Sequence, residues 1–442
     1  MSMPRKPILR ASSVRACVRS SFQAVPYRKS GTGASWVGIA RFCHETPLTT
    51  TARGRTVTTQ RPHRRWAMAH RTFKVLDSDI HIIEPPDLWQ RYIDPAFKDR
   101  APIGLTEDAG DLRLAHDGKP WGRLAVNADR SVRRQGRNYA LNQERWRPFA
   151  ERGWTAKVQL EAMDIEGIDV AVVYPSRGLF ALTVNDMDRH LAAAMAHAYN
   201  DWLYEFCQEN PERLIGAGMI SPFAVEDAVA ETRRCVRQLG FRGLFLRPNE
   251  VNGRNWHDPY YEPLWAELEE LEVPLGFHEG SGAQLRHVGE QFGANTLLKH
   301  VYSHPVEQML AVGSFCAGGI LERHPRLRVA FLEGNCSWVP FLLWRMDEHW
   351  EWIGDVYARD LTMAPSEYFK RQCFVSVECD EEPVKHVIDA IGDDRIVFST
   401  DFPHGDSKFP RAVESFLQLP ISDESKRKIL WDNCAAYYGL PA

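Results

Sequence analysis

The sequence predicts an α/β fold in which eight strands alternate with helices in a (β/α)8, TIM-like barrel. Two observations lead to this prediction. From residue 71 onward, short β-branched runs alternate with segments in which apolar residues recur every three or four positions. Polar residues also end several of the otherwise apolar runs, as is typical of barrels that carry a site at the carboxyl ends of their strands. A doubly wound parallel sheet is the main alternative.

The predicted strands are short runs rich in valine, isoleucine, leucine and phenylalanine. In chain order they cover residues 73–81, 170–175, 214–221, 243–247, 274–278, 328–333, 373–378 and 395–401. Strands of this length, separated by helical patterns, favour a parallel sheet with helices on its outer side.

Helices are predicted between these strands. Residues 188–209 carry an apolar stripe at 3.6-residue spacing that ends before Pro211. Residues 224–239 end at Gly240, and a helix predicted to open at Pro305, over residues 305–322, precedes Pro325. The long polar stretch 91–156 follows the first strand. It is predicted to be an insertion that forms a lid or specificity wall, or a dimer contact.

The net charge of −4 is unevenly distributed along the chain. Residues 1–70 contain thirteen Lys or Arg and one acid, Glu45, which leaves a net charge of −16 on residues 71–442. The first segment is rich in Arg, Ser and Thr and lacks apolar periodicity, so it is predicted to be a disordered extension. Residues 71–442 are predicted to form the barrel.

Three interpretations of residues 1–70 remain open. The composition is that of a mitochondrial-type transit peptide. A nucleic-acid-binding arm is disfavoured, because the acidic remainder of the chain would repel a phosphate backbone. The favoured interpretation is that translation starts at Met68, because "MAHRTFKVLDSDIH" runs from a methionine directly into a strand. A cytoplasmic location is expected in that case, and a mitochondrial one if the transit peptide is genuine.

Composition excludes several classes of protein. A hydrophobic fraction of 44% with 25% charged residues is typical of a globular protein with a large core. No apolar run reaches the ~18 residues that a membrane helix needs. The nine cysteines include no C-x-x-C pair, so neither a disulfide framework nor a thiolate zinc site is indicated.

Four residues at the ends of three predicted strands form a candidate metal site. Asp79 and His81 end the first strand, and because residues i and i+2 of a strand point to the same face, both can reach one ion. His278 ends the fifth strand and Asp401 the eighth. Two imidazoles and two carboxylates suit one divalent ion, with Zn²⁺ as the first choice and Mn²⁺ as the second.

Purely structural interpretations stand beside this one. Asp401, before Pro403, could be a turn residue that bonds its own backbone, and Glu333, before Gly334, could cap a loop. They do not account for ionisable residues at the same end of several apolar strands. Burying such residues there without a metal or mutual pairing would be costly.

Five segments in this order resemble the amidohydrolase-related family, in the branch that includes aminocarboxymuconate semialdehyde decarboxylase and gamma-resorcylate decarboxylase. The resemblance extends from about Val75 to Tyr438. It rests on the motifs "DSDIHIIEPPDLW", "MDIEGIDVAVVYPS", "GFRGLFLRPN", "GILERHPRLRVAFLEGNCSWVP" and "RIVFSTDFPHGD". It implies a metal-dependent barrel in which Asp79, His81, His278 and Asp401 hold one divalent ion, and it implies a homodimer.

The chain departs from this family pattern at two places. Its first strand offers D-x-H where many members have H-x-H. Its sixth strand ends in Glu333, where the decarboxylases have a histidine that activates water or protonates carbon. A carboxylate beside a cation has a lowered pKa, so Glu333 is expected to be a better base than acid.

Three functions are therefore considered. The leading prediction is a metal-dependent hydrolase in which Glu333 assists a metal-bound water in attack on a small, carboxylate-bearing substrate. The alternative is a non-oxidative decarboxylase of an aromatic or unsaturated acid, with His404 or His304 as the proton donor at the same metal. A degenerate barrel retained for binding is the third, and it is disfavoured because capable residues occupy all four ligand positions.

Arg247 ends the fourth strand and is the predicted substrate anchor. A guanidinium there could bind a substrate carboxylate through two parallel hydrogen bonds. It could instead pair with Glu279 or Glu378 within the barrel. The expected partners are a small-molecule substrate and a second copy of the chain, with no nucleic acid and no membrane.

Overall fold

A computed structural model describes residues 73–116, 119–121, 139–280, 285–293 and 295–441. The basic extension predicted for residues 1–70 lies outside these ranges. Within them, eight parallel strands form one sheet in the order β1-β5-β6-β7-β8-β9-β10-β11. Helices connect successive strands, so the predicted (β/α)8 barrel is confirmed.

The strands and helices have the following bounds. The barrel strands are β1 Leu76–Ile82, β5 Val170–Pro175, β6 Leu214–Met219, β7 Gly243–Leu246, β8 Leu275–His278, β9 Val329–Leu332, β10 Cys373–Val377 and β11 Ile396–Phe398; the small antiparallel sheet contains β2 Ile103–Gly104, β3 Leu114–His116 and β4 Lys119–Trp121. The helices are α1 Leu88–Tyr92, α2 Tyr139–Ala150, α3 Ala156–Glu166, α4 Arg189–Cys207, α5 Val225–Arg237, α6 Glu262–Glu270, α7 Thr296–Cys316, α8 Ile320–Arg323, α9 Val339–Tyr357, α10 Pro365–Gln372, α11 Val384–Ile391, α12 Ala412–Leu417, α13 Asp423–Arg427 and α14 Asn433–Tyr438.

Hydrogen bonds join the first barrel strand, β1, to the last barrel strand, β11, and to the residues just beyond it. The His81 amide donates to the carbonyl of Phe402 at 2.7 Å, just beyond β11. The Ser78 hydroxyl donates to the carbonyl of Phe398 at 2.6 Å, and the Ser399 hydroxyl donates to the carbonyl of Asp79 at 3.2 Å. These bonds place the ends of β1 and β11 at one edge of the barrel mouth.

The strands are buried on both faces, as the apolar sequence runs predict for a parallel sheet. The C-terminal helix α14 packs against the core. Tyr437 and Tyr438 are buried there, and the Tyr438 hydroxyl donates to the carbonyl of Ser78 at 2.6 Å. Both tyrosines therefore belong to the core.

Helix α7 starts earlier than the sequence predicts. The predicted helix opens at Pro305, whereas α7 begins at Thr296 and carries Pro305 in its interior. The Asn295 side chain accepts a hydrogen bond from the Leu298 amide and so caps the helix upstream of the proline. His304 consequently lies within a helix rather than on a loop.

The insertion after the first strand contributes β2–β4, α1 and α2, with residues 117–118 and 122–138 outside the described ranges. Helix α2 contacts the segment that follows β11. The Asn142 side chain donates to the carbonyl of Gly405 at 2.9 Å, and Trp146 packs edge-on against Phe402. The insertion thus contacts the loop that carries Asp401 and His404, and its role as a lid, a specificity wall or a dimer contact stays a prediction.

Two further findings concern the cysteines and the character of the helices. The seven cysteines in the described ranges are all buried, and none forms a disulfide. Among the helices that the structure describes, none combines the length and the apolar character needed to cross a membrane.

Candidate metal and active site

Asp79 and His81 lie on β1 and are fully buried. The Nδ1 atom of His81 bonds the carbonyl of Pro175 at 2.8 Å, which turns its Nε2 atom into the barrel mouth. Such a bond to the second ring nitrogen is typical of histidines that bind metal ions. The Nε2 atom of His278, at the end of β8, lies 2.9 Å from that of His81, so two imidazole nitrogens face one point.

Both observed strands end earlier than predicted, so Glu333 follows β9 directly and Asp401 lies three residues beyond the last residue of β11. Each has a positive φ, 45° at Glu333 and 54° at Asp401. This left-handed backbone turns the side chains inward at the point where each strand stops. Residues other than glycine seldom adopt this conformation, and those that do are enriched at active sites.

The carboxylates converge on the same two nitrogens. The Oδ1 atoms of Asp79 and Asp401 each lie 3.5 Å from the His81 Nε2 atom. The Oε2 atom of Glu333 lies 2.9 Å from the His278 Nε2 atom. Three groups of residues in the described part of the chain could each hold an ion, with ligand atoms within 4.8 Å of one another. Two of them share His81: Asp79, His81 and His278 form one, and His81, Glu333, Asp401 and His404 form the other.

Electrostatics in this buried cluster fit a divalent cation. Burial, and then the charges of Glu333 and Asp401, raise the pKa of Asp79 well above its usual range. Burial and the charge of Glu333 raise the pKa of Asp401 in the same way. Burial lowers the pKa of His81, so its ring is neutral and able to act as a ligand. A divalent cation among them would favour ionised carboxylates and neutral imidazoles together.

His404 lies at the edge of this cluster and is also buried. Its Nδ1 atom is 2.5 Å from the Oδ1 atom of Asp401, its Nε2 atom is 3.1 Å from the Ser176 hydroxyl, and its ring stacks on His81 at 4.0 Å. Burial lowers the pKa of His404, but the charges of Asp401 and Glu333 outweigh burial and raise it to about 10. The ion pair with Asp401 and the hydrogen bond with Ser176 hold the ring beside the ligand set.

His304 approaches Glu333 from helix α7. Its Nδ1 atom bonds the Glu333 carbonyl oxygen at 2.8 Å and lies 3.2 Å from the Oε1 atom of the same residue. His300, one turn earlier, packs its ring 4.3 Å from that of His304. Both predicted proton donors, His304 and His404, therefore reach Glu333, from opposite sides.

Arg247 is buried at the same end of the barrel, but protein groups occupy its guanidinium. It donates to Glu279, to Asn249 and to the carbonyls of Leu179 and Gly280 at 2.6–3.2 Å. The sequence left two roles open for Arg247, a substrate anchor or an ion pair within the barrel. The structure contains an ion pair between Arg247 and Glu279. To anchor a substrate, Arg247 would have to exchange one of these bonds, and that role stays a prediction.

Sequence reasoning missed two residues of the site. Ser176 follows β5 directly and bonds His404, and its position after an apolar strand was the signal that marked the others. His300 precedes His304 by four residues, a spacing that places both on one helix face. That signal was hidden because the helix was expected to begin at Pro305.

Comparison with known proteins gives the family. The amidohydrolase family matches residues 77–440, which include all eight barrel strands after the first residue of β1. The chain is 28% identical to 2-amino-3-carboxymuconate-6-semialdehyde decarboxylase of Dictyostelium discoideum, over 65% of this chain and 77% of that protein. It is 30% identical to gamma-resorcylate decarboxylase of Rhodococcus jostii, over 64% of this chain and 87% of that protein.

Solved structures share the fold. An amidohydrolase of Mycobacterium avium subsp. paratuberculosis superposes with a TM-score of 0.67 at 23% identity, covering 84% of this chain and 99% of that one. A 5-carboxyvanillate decarboxylase of Sphingomonas paucimobilis gives 0.61 at 20% identity, covering 84% and 100%. A dihydroxybenzoic acid decarboxylase of Polaromonas, solved with bound manganese, gives 0.57 at 19% identity, covering 83% and 97%.

These findings correct one prediction. An enzyme was expected and is supported, but the leading prediction of a hydrolase is wrong, because the curated relatives are named as decarboxylases. The physical inference failed at Glu333. It treated this carboxylate as a free base for water, whereas the structure surrounds it with His278, His304 and His404.

The family match covers more than four fifths of the chain, and its limits coincide with those of the barrel. The relatives, the fold and the predicted motifs agree in order along the chain. The chain therefore belongs to the amidohydrolase family.

Proposed function

We propose that this protein is a metal-dependent, non-oxidative decarboxylase of a small aromatic or unsaturated carboxylic acid. The observation that carries the proposal is the meeting of Asp79, His81, His278 and Asp401 at the barrel mouth of a chain whose curated relatives are decarboxylases. The third function considered, binding without catalysis, has no comparable support.

Those four residues would hold one divalent ion, with Glu333 within reach of it. The ion would supply a Lewis acid that binds the substrate carboxylate and a neighbouring oxygen. Zn²⁺ suits the two imidazoles, and Mn²⁺ suits the carboxylates. The manganese bound in the Polaromonas decarboxylase makes Mn²⁺ an equal candidate here.

The chain itself must deliver a proton to the carbon that loses the carboxylate. In this proposal His404 supplies it: the new C–H bond forms with the electron pair of the C–C bond that breaks, and CO₂ leaves. His404 suits this task because Asp401 and Ser176 hold both ring nitrogens beside the ligand set. His404 then regains a proton from solvent.

Apolar side chains lie at the same end of the barrel as the proposed centre. Leu179, Leu246 and Trp256 line a small cavity there, with Arg247 at its wall, and its volume of about 20 Å³ is that of about one water molecule and too small for an aromatic ring. Helix α2, with Trp146 against Phe402, covers the loop that carries Asp401 and His404. An apolar, covered site strengthens electrostatic interactions with the substrate carboxylate.

The function can be tested with purified protein loaded with Mn²⁺ or Zn²⁺. Hydroxybenzoates that carry a hydroxyl beside the carboxylate are expected to release CO₂, and in D₂O the product should carry one deuterium at the carbon that lost the carboxylate. Dipicolinate, a chelator, should abolish CO₂ release, and added metal should restore it. Cleavage of esters or amides without CO₂ release from any acid would overturn the proposal.

The homodimer implied by the family resemblance has a candidate surface, which we call the outer apolar face. It consists of exposed side chains on two outer helices: Leu297, Val301, Tyr302 and Leu310 on α7, and Phe341, Trp344, Trp352, Val356 and Tyr357 on α9. The two rows meet at a groove lined by Leu310, Ala317 and Tyr357. We propose that a second copy of the chain covers it.

The area supports this occupant. The five aromatic side chains of the face are 45–83% exposed and together present on the order of 600 Å². The four aliphatic side chains bring the face near the ~800 Å² that each partner buries in a typical stable interface.

Changing Trp352 to glutamate together with Leu310 to glutamate should convert a dimer into a monomer, because two charges would be buried in each half of the interface. Analytical ultracentrifugation of the full chain measures this directly. Ile165→Glu, at a comparably exposed apolar residue on α3, is the matched control and should leave the dimer intact. A monomeric wild type, or a dimer that survives the double change, would contradict the assignment of this face.

A further inference from the structure

Helix α7 brings two histidines to the barrel mouth that the proposed decarboxylation does not use as ligands. His300 and His304 are four residues apart and lie on one helix face, with ring centroids 4.3 Å apart. Two histidines at this spacing on a helix form a well-known chelating pair for divalent cations. Their position follows from the early start of α7 at Thr296.

The orientation of His304 is that of a ligand. Its Nδ1 atom bonds the backbone carbonyl of Glu333 at 2.8 Å. A metal-binding histidine usually makes such a bond with one ring nitrogen and presents the other to the ion. His81 in the first site has the same arrangement, with Nδ1 bonded to the carbonyl of Pro175.

Glu333 connects the two groups of histidines. Its Oε2 atom lies 2.9 Å from the His278 Nε2 atom, whereas its Oε1 atom lies 3.2 Å from the His304 Nδ1 atom. The Oε2 atom thus faces the first site, and the Oε1 atom lies beside the Nδ1 side of the His304 ring. Ligand atoms of His300, His304 and Glu333 lie within 4.8 Å of one another, and Asp406 lies 3.8 Å from His300.

We propose that His300, His304 and Glu333 bind a second divalent cation, with Asp406 as an additional oxygen ligand, and that Glu333 bridges it to the ion of the first site. The donor set of two imidazoles and carboxylates suits Zn²⁺ or Mn²⁺. The inference rests on the proposed metal centre, because Glu333 belongs to both sites. It also gives His304 a ligand role and leaves proton transfer to His404.

Metal content tests the second site without measuring turnover. The full chain is saturated with Zn²⁺, and gel filtration removes the unbound ion. The zinc content per chain is then measured by elemental mass spectrometry. We expect about two ions per chain in the wild type and about one in His300→Ala. Exposed His386 on α11 provides the matched control, and His386→Ala should retain both ions.

A spectroscopic measurement tests the bridge. With Mn²⁺ in both sites, the wild type should give an exchange-coupled electron paramagnetic resonance spectrum, and His300→Ala should give the spectrum of an isolated ion. Glu333→Gln should lose the coupling. One ion in both wild type and His300→Ala, with CO₂ release retained, would overturn the second site and leave the proposed function standing. No bound ion in active wild type would overturn both.

Discussion

Replacing His278 by alanine is expected to remove the ion of the first site and to lower the rate of CO₂ release by ~10³ or more. The imidazole is fully buried, and its Nε2 atom lies 2.9 Å from that of His81 and 3.5 Å from the Oδ2 atom of Asp79. Loss of the ion removes several kcal/mol of charge stabilisation, and each ~1.4 kcal/mol corresponds to a factor of ten in rate. Metal analysis and CO₂ release measure the two effects.

The barrel should survive this change. His278 is the last residue of β8, whose remaining residues pack in the apolar core. Circular dichroism should therefore match that of the wild type, with a modest fall in Tm. Asp401→Ala should give the same pair of effects. Retention of both the ion and full activity in either variant would exclude these residues as ligands.

Replacing His404 by glutamine is expected to lower turnover by ~10² to 10⁴, the usual contribution of a positioned acid, while the ion of the first site remains bound. Glutamine can keep a hydrogen bond to Asp401 or Ser176 but cannot supply the proton. Single-turnover measurements in mixed H₂O and D₂O would show whether proton transfer limits the residual rate.

Two companion variants separate proton transfer from positioning. Ser176→Ala removes one of the two bonds that hold His404 and should cause a smaller loss, with the metal content unchanged. His304→Gln should lower the content of the second ion more than that of the first. If His304→Gln instead abolished proton transfer with metal content intact, and His404→Gln had little effect, the donor would be His304.

The fold followed closely from the sequence because its signals are local. Each of the eight predicted strands overlaps an observed barrel strand, since apolar β-branched runs in a parallel sheet are buried on both faces. The helix at Pro305 was misplaced for a local reason as well. A proline usually marks a helix start, and here the cap at Asn295 outweighed that preference.

The site was only partly predictable. Asp79, His81, His278 and Asp401 were recognised because strand ends of a barrel meet at one mouth, a consequence of topology alone. The direction of Glu333 was not predictable, because it depends on a backbone angle and on three histidines from distant segments. The same holds for Arg247, whose hydrogen-bond partners follow from loop packing.

The left-handed backbone at Glu333 and Asp401 places the proposed centre in a stability–activity trade-off. A residue with a side chain gives up ~1–2 kcal/mol in this conformation, which glycine would adopt without strain. Both positions are thus ones where the barrel would fold more readily with a different residue. Each carboxylate is held against the preference of its own backbone, as the proposed centre would require.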